Sequence, residues 1–384
     1  MSHHILHVSQ PTDAGVARCV ADFAAAQQAS GLAVTVACPA DGPLAAELSA
    51  LGIQVREWAA TRSPGPGVAA EGRALGRLVA GVGPDLVHLH SAKAGLSGRL
   101  ALRGRVPTVF QPHAWSFDAV DGPLAVAALR WERAAAAHWT HALVCVSQAE
   151  RERGEQRRIR APYRVVPNGV DLQQLTVATP EDRAAARRRL GYDDEPLAAC
   201  VGRLSRQKGQ DVLLEAWPTV LSAVPDARLV LVGDGPDAAV LAARGAPAVE
   251  LVGRRDDVPD WLAAADVVVV PSRWEGMALV PLEALARGRS VVASDVTGVR
   301  ECVPAGCGAV VPPDDARELA TAVAARLADR RLADREGAAG RTHVERAHDL
   351  AVTTTRLAQV YADVIAGVRS HHSFRTGGGA RENG

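Results

Sequence analysis

The chain has 384 residues, 48% of them hydrophobic and 22% charged, so it can bury more than one sizeable core. Lys plus Arg and Asp plus Glu number 43 each, and this balance gives no reason to expect nucleic acid as a partner. Six scattered cysteines with no C-x2-C pair argue against a disulfide framework or a zinc site.

The N-terminus has no signal-peptide core, and no apolar run approaches the roughly 18 residues that span a bilayer. We therefore expect a cytoplasmic protein. The residues from Ser370 to the end are rich in His, Ser, Gly and Arg, and we expect a disordered tail there.

The first half alternates short apolar strands with helical patterns, which predicts a doubly wound parallel sheet. A strand over residues 5–8 leads into a small-residue loop, and Gly15 opens the helix that follows. This glycine would let a ligand approach the helix N-terminus. Ordinary turn chemistry explains a lone glycine equally well.

Polar side chains follow two later strands of this half. A strand over residues 84–91 ends in His90 and Ser91, and His113 and Trp115 come just after a strand over 108–111. We interpret His113 as functional, with a packed, hydrogen-bonded histidine as the alternative. Trp115, like Phe117, could stack on a sugar or simply pack the loop.

Five arginines and two glutamates lie between Arg151 and Arg160. Such a segment is usually a solvated face of the protein. Weak contact with an anionic membrane or a lipid-phosphate acceptor is the alternative interpretation.

The second half repeats the strand–loop–helix opening. A strand over residues 197–201 runs into Gly202-Arg203-Leu204-Ser205-Arg206-Gln207-Lys208-Gly209 and then a helix. The two glycines permit a tight loop, and the helix N-terminus offers N–H donors to phosphate oxygens. Arg203 and Lys208 add two cations, which a purely structural loop would not place beside a helix N-terminus.

A later strand, over residues 267–270, runs into the stretch from Pro271 to Gly288. Glu275 lies in the loop after this strand and Glu283 lies inside the helix that follows. Two carboxylates at the carboxyl end of a strand can accept hydrogen bonds from the hydroxyls of a sugar or ribose. The alternative is two solvated acids.

These motifs resemble those of the retaining glycosyltransferases of family 4 (glycosyltransferase group 1). The spacing of Glu275 and Glu283 matches the family's E-x7-E signature, and Gly202–Gly209 matches its G-R-L-x-x-x-K-G loop. Residues 167–171 read P-N-G-V-D, and the strand at 86–90 ends in His-x-His, as is common in the family.

The resemblance implies the GT-B fold: two Rossmann-like α/β domains facing a cleft, with a C-terminal helix crossing back to the first domain. We expect an acceptor-binding domain over residues 1–171 and a nucleotide-sugar-binding domain over 172–348, of which 172–195 is a connector. The terminal helix would occupy 349–369, and the tail 370–384.

The same resemblance implies transfer of a sugar from a nucleotide sugar, with UDP as the expected nucleotide, to a hydroxyl of a glycan precursor, a lipid-linked sugar or a small metabolite. The catalytic residues would be His113, Arg203, Lys208 and Glu275. Acceptor binding would involve His90, Ser91, His113 and Trp115. Donor binding would involve Gly15, Gly202, Arg203, Lys208, Gly233, Val252, Gly253, Glu275, Gly276, Met277, Ala278, Leu279 and Glu283.

No D-x-D pair occurs at a strand end, so we expect no essential metal and no other cofactor. Arg203 and Lys208 would then neutralise the leaving diphosphate. Two alternatives stay open. One is another GT-B chemistry on nucleotide sugars, such as epimerisation or hydrolysis, and the other is a non-catalytic subunit that binds nucleotide sugars.

Overall fold

The computed structural model describes residues 3–62 and 65–376, and of residues 369–376 it describes the backbone only. The chain divides into two compact units. The first comprises the chain up to Val166 together with the terminal helix from Thr353 onward, and the second comprises Pro167–Val352. The domain boundaries predicted from the sequence, after residues 171 and 348, remain a prediction.

The described part of the first unit forms a parallel sheet. Its strands are β1 His4–Ser9, β2 Ala33–Cys38, β3 Gln54–Glu57, β4 Leu86–His90, β5 Thr108–Gln111, β6 Ala142–Cys145 and β7 Tyr163–Val165. Their order is β3-β2-β1-β4-β5-β6-β7, so the direction of winding reverses between β1 and β4. Loops at such a switch point are where open α/β sheets bind ligands.

Helices cover both faces of this sheet, as parallel strands require. They are α1 Ala14–Ala29, α2 Pro43–Ala50, α3 Val68–Val82, α4 Ser91–Leu102, α5 Gly122–Trp139 and α6 Gln148–Gln156. Two clusters of buried apolar side chains lie in the unit, one around Leu6, Leu89 and Phe110, the other around Val20, Val36 and Leu48.

The second unit, which is described throughout, has its own parallel sheet. Its strands are β8 Leu197–Val201, β9 Arg228–Val232, β10 Val249–Gly253, β11 Val267–Val270, β12 Ser290–Ser294 and β13 Gly308–Val311. The order β10-β9-β8-β11-β12-β13 places the switch point between β8 and β11. The two motif-bearing loops of this half, which follow these two strands, therefore lie side by side.

The helices of the second unit pack on its apolar strands, and the four valines of β11 are all buried. They are α7 Pro180–Leu190, α8 Gln210–Ala223, α9 Ala238–Arg244, α10 Val258–Ala264, α11 Leu279–Ala286, α12 Val299–Cys302, α13 Ala316–Ala328 and α14 Arg330–Ala347. The predicted doubly wound α/β pattern is thus present in both units.

The predicted connector contains helix α7, which the sequence pattern missed. Thr179 and Asp182 form a capping box at its start. Arg183 and Arg187 both pair with Asp266, at 2.5 and 2.8 Å. Both arginine side chains are buried, and the aspartate side chain is 9% exposed. The segment is therefore packed into the second unit.

The terminal helix, α15 Leu350–Thr376, is longer than predicted. Residues 370–376, expected to be disordered, are helical, and the rest of the predicted tail, 377–384, lies outside the described residues. No described helix is both long and apolar enough to cross a membrane. All six cysteines are buried, and none of them forms a disulfide.

Candidate functional site

The loop after β8 is shaped by its two glycines. Gly202 has φ +149° and Gly209 has φ +67°, conformations that side-chain-bearing residues rarely adopt. A Cβ on Gly209 would lie 2.0 Å from the carbonyl oxygen of Pro271, in the loop after β11. Glycine is thus required at Gly209 both by its dihedral angle and by this contact between the two loops.

A short 3-10 turn, Arg206–Lys208, precedes Gly209 and the start of α8. It directs Lys208 toward the neighbouring loop, where its Nζ lies 2.6 Å from Oε1 of Glu275. The Ser272 hydroxyl donates to the same oxygen at 2.8 Å. The lysine and glutamate side chains are 21% and 11% exposed, so the ion pair is shielded yet open to a ligand.

Arg203 lies in the same loop and is half-buried. Its Nη2 contacts Oε1 of Gln207 at 3.4 Å. The two predicted phosphate-binding cations and one of the two predicted acids are thus brought together in the second unit.

Arg273 clamps these two loops together, a role that the sequence did not reveal. Its guanidinium binds both oxygens of Asp211, at the start of α8, with distances of 2.9 and 2.8 Å. Nη1 also donates to the carbonyl oxygen of Arg206 at 2.8 Å. The hydrogen bonds to Arg273 lower the pKa of Asp211, which keeps the carboxylate charged.

A second contact joins the same loops, from Nε2 of Gln207 to the carbonyl oxygen of Trp274 at 3.0 Å. Together with the clamp, it fixes the backbone on both sides of the Lys208–Glu275 pair. The backbone that carries these two charged side chains is therefore in place before a ligand binds.

The loop after β11 leads into α11 through Gly276, Met277 and Ala278. Asn168, from the P-N-G-V-D motif, donates from Nδ2 to the carbonyl oxygen of Met277 at 2.8 Å. Ala278 is the N-cap of α11 and has no side-chain oxygen to cap it. The first N–H groups of this helix, from Leu279 on, are the kind of donor that binds anions.

Glu283 is half-buried and lies within α11, the helix that directly follows the Glu275 loop. Gly233, after β9, has φ +146°, and a Cβ there would lie 2.0 Å from the carbonyl oxygen of Gly202. Val252 and Gly253 end β10 beside an irregularity in its pairing with β9, and both are half-buried. These predicted donor-binding residues all lie in the second unit.

The remaining predicted residues lie in the first unit, at the carboxyl edge of its sheet. In the strand register Ser9 is opposite His90, and His90 is opposite Gln111. A non-glycine residue at positive φ follows each of these strands, in the loop or as the first residue of the next helix: Ala14 at 58°, Ser91 at 67° and His113 at 59°. Strained backbone of this kind clusters at functional sites.

Gly15 is exposed in the first turn of α1, directly after strained Ala14. His113 is half-buried, and its Nε2 lies 3.0 Å from Nδ1 of His90. Burial lowers the pKa of His113 to about 3. The ring is therefore neutral at physiological pH, and it can donate one hydrogen bond and accept one.

Two predicted acceptor-binding residues are core side chains, which is a correction to the sequence interpretation. Trp115 is 2% exposed, stacks on Phe117, and donates its Nε1 proton to the carbonyl oxygen of Glu150 at 2.8 Å. His90 is fully buried. Neither side chain presents a surface on which an acceptor could lie, since Trp115 packs the loop and His90 is hydrogen-bonded to His113.

Among the described residues, one group of three side chains has ligand atoms close enough to hold a metal ion: His7, His88 and His90. All three rings are fully buried. Nδ1 of His7 lies 2.9 Å from Nε2 of His90, a hydrogen-bond distance. One of these two nitrogens therefore donates a hydrogen bond to the other.

The basic segment predicted as a possible membrane contact lies in α6 and the turn after it. Arg151 pairs with Glu155 at 2.9 Å, and Arg153 pairs with Asp118 at 2.5 Å. Two of its arginines thus have carboxylate partners, and contact with a membrane stays a prediction.

Comparison with known proteins gives the family. The Glycosyltransferase Family 4 profile matches residues 14–174, and the Glycosyl transferases group 1 profile matches residues 195–329. The alpha-maltose-1-phosphate synthase of Mycolicibacterium smegmatis is 31% identical over 312 residues, which cover 73% of this chain and 79% of that protein. The chain belongs to the family 4 (group 1) glycosyltransferases.

Other relatives match over a shorter span. The GDP-mannose-dependent monoacylated alpha-(1-6)-phosphatidylinositol monomannoside mannosyltransferase of Corynebacterium glutamicum is 40% identical over 193 residues, 47% of this chain and 51% of that protein. This chain therefore spans about half the length of that relative.

The fold of this family 4 glycosyltransferase is shared with solved structures. The structure of Anabaena Alr3699/HepE in complex with UDP and glucose superposes with a TM-score of 0.82 at 24% identity and covers 94% of this chain and all of that one. The prediction of two Rossmann-like domains of the GT-B type is confirmed.

Proposed function

We propose that the chain is a retaining glycosyltransferase that moves a sugar from a nucleoside-diphosphate sugar to an acceptor hydroxyl. The observation that carries this proposal is the Lys208–Glu275 ion pair at 2.6 Å, at the switch point of the second sheet. A cation for a diphosphate and a carboxylate for sugar hydroxyls are adjacent there, which is what binding of a nucleotide sugar requires.

Donor binding is proposed to rearrange this pair. The diphosphate would compete with Glu275 for Lys208 and would also engage Arg203. Glu275 would then accept hydrogen bonds from the transferred sugar, and Glu283 from the ribose. Charge at the leaving diphosphate would be neutralised by these two cations, so the proposal includes no essential metal.

The transfer step needs no protein base in this proposal. The acceptor oxygen forms a bond to the anomeric carbon while the bond from that carbon to the diphosphate oxygen breaks, and the leaving phosphate takes the acceptor proton. Both events occur on the same face of the sugar, which retains the anomeric configuration. His113 is proposed to accept a hydrogen bond from a substrate hydroxyl and so to orient it.

The nucleotide is proposed to be UDP, as the resemblance to the family implies. HepE was solved with UDP and glucose, whereas the Corynebacterium relative is GDP-mannose-dependent, so both bases need testing. A thermal-shift series with UDP, GDP and ADP would compare them, because a ligand that binds only the folded state raises its stability by mass action. The Lys208→Ala variant should lose the shift that the preferred diphosphate causes.

Activity is tested by incubating the purified chain with radiolabelled UDP-glucose or GDP-mannose and a panel of sugar phosphates and lipid-linked sugars. Transfer of label, with an α-linkage seen by product NMR from an α-linked donor, supports the proposal. Release of free sugar with every acceptor would indicate a hydrolase, and isomerised donor an epimerase. Binding without any turnover would indicate a non-catalytic subunit.

A further inference from the structure

A chain of hydrogen-bonded side chains runs through the first unit, from half-buried His113 to fully buried rings further in. Nε2 of His113 lies 3.0 Å from Nδ1 of His90, and Nε2 of His90 lies 2.9 Å from Nδ1 of His7. Nε2 of His7 lies 2.9 Å from Oε1 of Gln27, on α1. His7 and His90 are fully buried and Gln27 is 2% exposed. Both ring nitrogens of each inner histidine are therefore engaged within the protein.

The rings in this chain are neutral at physiological pH. Burial lowers the pKa of His7 to about 4 and that of His113 to about 3, and it holds the pKa of His90 well below its ordinary range. A neutral imidazole has one N–H and one lone pair. The proton position on one ring therefore dictates the proton position on every other ring in the chain.

Gln27 determines which nitrogen donates and which accepts in each hydrogen bond of this chain. An amide oxygen can only accept, so Nε2 of His7 carries the proton that faces it. Nδ1 of His7 then accepts from Nε2–H of His90. Nδ1 of His90 in turn accepts from Nε2–H of His113. The outermost ring is left with a lone pair on its Nδ1.

Tyr361, on the terminal helix, holds the Gln27 amide in this orientation. Nε2 of Gln27 donates to the Tyr361 hydroxyl at 3.5 Å, and that hydroxyl lies 2.6 Å from Nδ1 of His88. When the phenol donates to His88, the proton of His88 is on its Nε2. The reverse orientation of the amide would instead leave a lone pair on Nε2 of His88. Burial lowers the pKa of His88 well below its ordinary range, and the Gln111 side chain opposes that shift.

The backbone at the outer end is fixed as well. His113 has φ +59° and the next residue, Ala114, has φ +139°, and neither is a glycine. Such conformations persist only where the surroundings enforce them. The hydrogen bond from His113 to His90 is one contact that does so.

We propose that Gln27, His7 and His90 are positioning residues that lock His113 in its Nε2–H tautomer, so that it presents Nδ1 to substrate as a hydrogen-bond acceptor only. The role of His113 toward a substrate rests on the proposed function. The tautomer of His113 follows from the hydrogen bonds alone. The assignment selects a hydroxyl donor, from acceptor or sugar, as the partner of His113. It also excludes His113 as a donor to the leaving diphosphate.

The tautomer is tested directly by nitrogen-detected NMR of the full chain labelled with 15N-histidine, without ligand. We expect His113 to be protonated at Nε2 and unprotonated at Nδ1. His141 is an internal reference for the same tautomer, because its Nδ1 accepts from the backbone N–H of Thr108 at 3.1 Å. A proton on Nδ1 of His113 would overturn the proposal.

Two variants test whether Gln27 and Tyr361 fix the tautomer of His113. Gln27→Leu should turn the His113 signals into those of a tautomer mixture, and Tyr361→Phe, a milder change, should do so partly. His4→Gln alters a histidine on the same strand that bonds Thr35 instead, and it should leave His113 unchanged. Unaltered His113 signals in both Gln27→Leu and Tyr361→Phe would contradict the proposal.

Elemental analysis of the same samples tests the competing use of this cluster. A stoichiometric metal bound by His7, His88 and His90 would require lone pairs, not protons, on the nitrogens that face it, and would overturn the hydrogen-bonded chain.

Steady-state kinetics show whether the fixed tautomer of His113 contributes to turnover. Gln27→Leu should lower kcat about tenfold or more with little change in donor KM, a size typical of coupling within one hydrogen-bond network. Combined with His113→Ala, it should cause no further loss, and additive losses would show that Gln27 acts elsewhere. If the wild-type chain transfers no sugar, the proposed function fails while the NMR result still decides the tautomer.

Discussion

Nζ of Lys208 lies 2.6 Å from Oε1 of Glu275, so in the ligand-free protein the two charges that we assign to different parts of the donor neutralise each other. This arrangement keeps a shielded cation and a shielded anion in place without a ligand. It also means that a nucleotide sugar must separate them, and that each can be tested by itself.

Lys208→Ala should lower kcat/KM at least about a hundredfold, because it removes a charge that stabilises the leaving diphosphate. Steady-state rates with the preferred donor check this result. Arg206→Ala is the matched control, since Arg206 is an exposed cation in the same 3-10 turn. Its guanidinium lies 5.7 Å from the centre of the Trp274 ring, and its carbonyl oxygen, which the variant keeps, accepts from Arg273. Equal losses in both variants would indicate a general electrostatic effect instead.

Glu275→Gln should cut turnover and leave the affinity for the free nucleoside diphosphate intact, because the sugar-facing charge is lost and Lys208 is released from its partner. Calorimetry with the diphosphate and with the complete donor separates the two effects. A parallel loss of diphosphate affinity would contradict the division of roles between Glu275 and Lys208.

Gly209→Ala should destabilise the second unit and reduce donor binding, since the new Cβ would meet the Pro271 carbonyl at 2.0 Å. Gly191→Ala is the control, because Gly191 has φ +83° but no atom within 4 Å of the place where a Cβ would lie. The control carries only the cost of the left-handed conformation, about 1–2 kcal/mol. Urea unfolding should therefore show a larger loss for Gly209→Ala, and equal losses would mean that the loops separate freely.

Arg273→Lys should lower kcat/KM about ten- to a hundredfold, because one ammonium cannot replace a guanidinium that binds Asp211 twice and the Arg206 carbonyl as well. Hydrogen exchange should also rise in residues 203–209. The control is Arg300→Lys, which alters an exposed bidentate pair with Asp295. A normal rate in Arg273→Lys would show that the clamp is dispensable.

The first unit should lose stability as the pH falls from about 6.5 to about 4. Burial lowers the pKa of His7 to about 4 from an ordinary 6.5, so in this window the unfolded chain binds a proton that the folded chain does not. This contribution is complete above pH 6.5 and is lost toward pH 4. Hydrogen exchange of β1 and β4 across this range measures it.

His7→Gln should flatten that pH dependence, because glutamine does not titrate. His4→Gln should leave the slope as it is in the wild type. A slope that is the same in all three proteins would assign the acid sensitivity to groups outside the histidine chain.

Much of the fold could be read from the sequence because it depends on local patterns. Buried parallel strands such as Val267–Val270 are continuous apolar runs, and glycines mark the loops that follow. The Lys208 loop and the Glu275 loop were both placed at strand ends in this way. Their proximity follows from sheet order, which the strand-helix alternation already indicates.

The contacts that hold the site could not be read in the same way. Arg273 and Asp211 are 62 residues apart, and His7 and His90 are 83 apart, so no local pattern links them. Trp115 illustrates a different difficulty. An aromatic side chain after a strand end is compatible with stacking on a ligand or with packing, and only its burial decides between them.

The first unit is assembled from both ends of the chain, since Tyr361 of the terminal helix completes the network around Gln27 and His88. The second unit is one continuous segment. During synthesis the ribosome therefore releases a complete second unit before the first can close, the opposite of the usual N-terminal-first order. Nascent chains would carry a first unit whose sheet is complete but whose terminal helix is still missing, and that interval is where chaperones would be needed most.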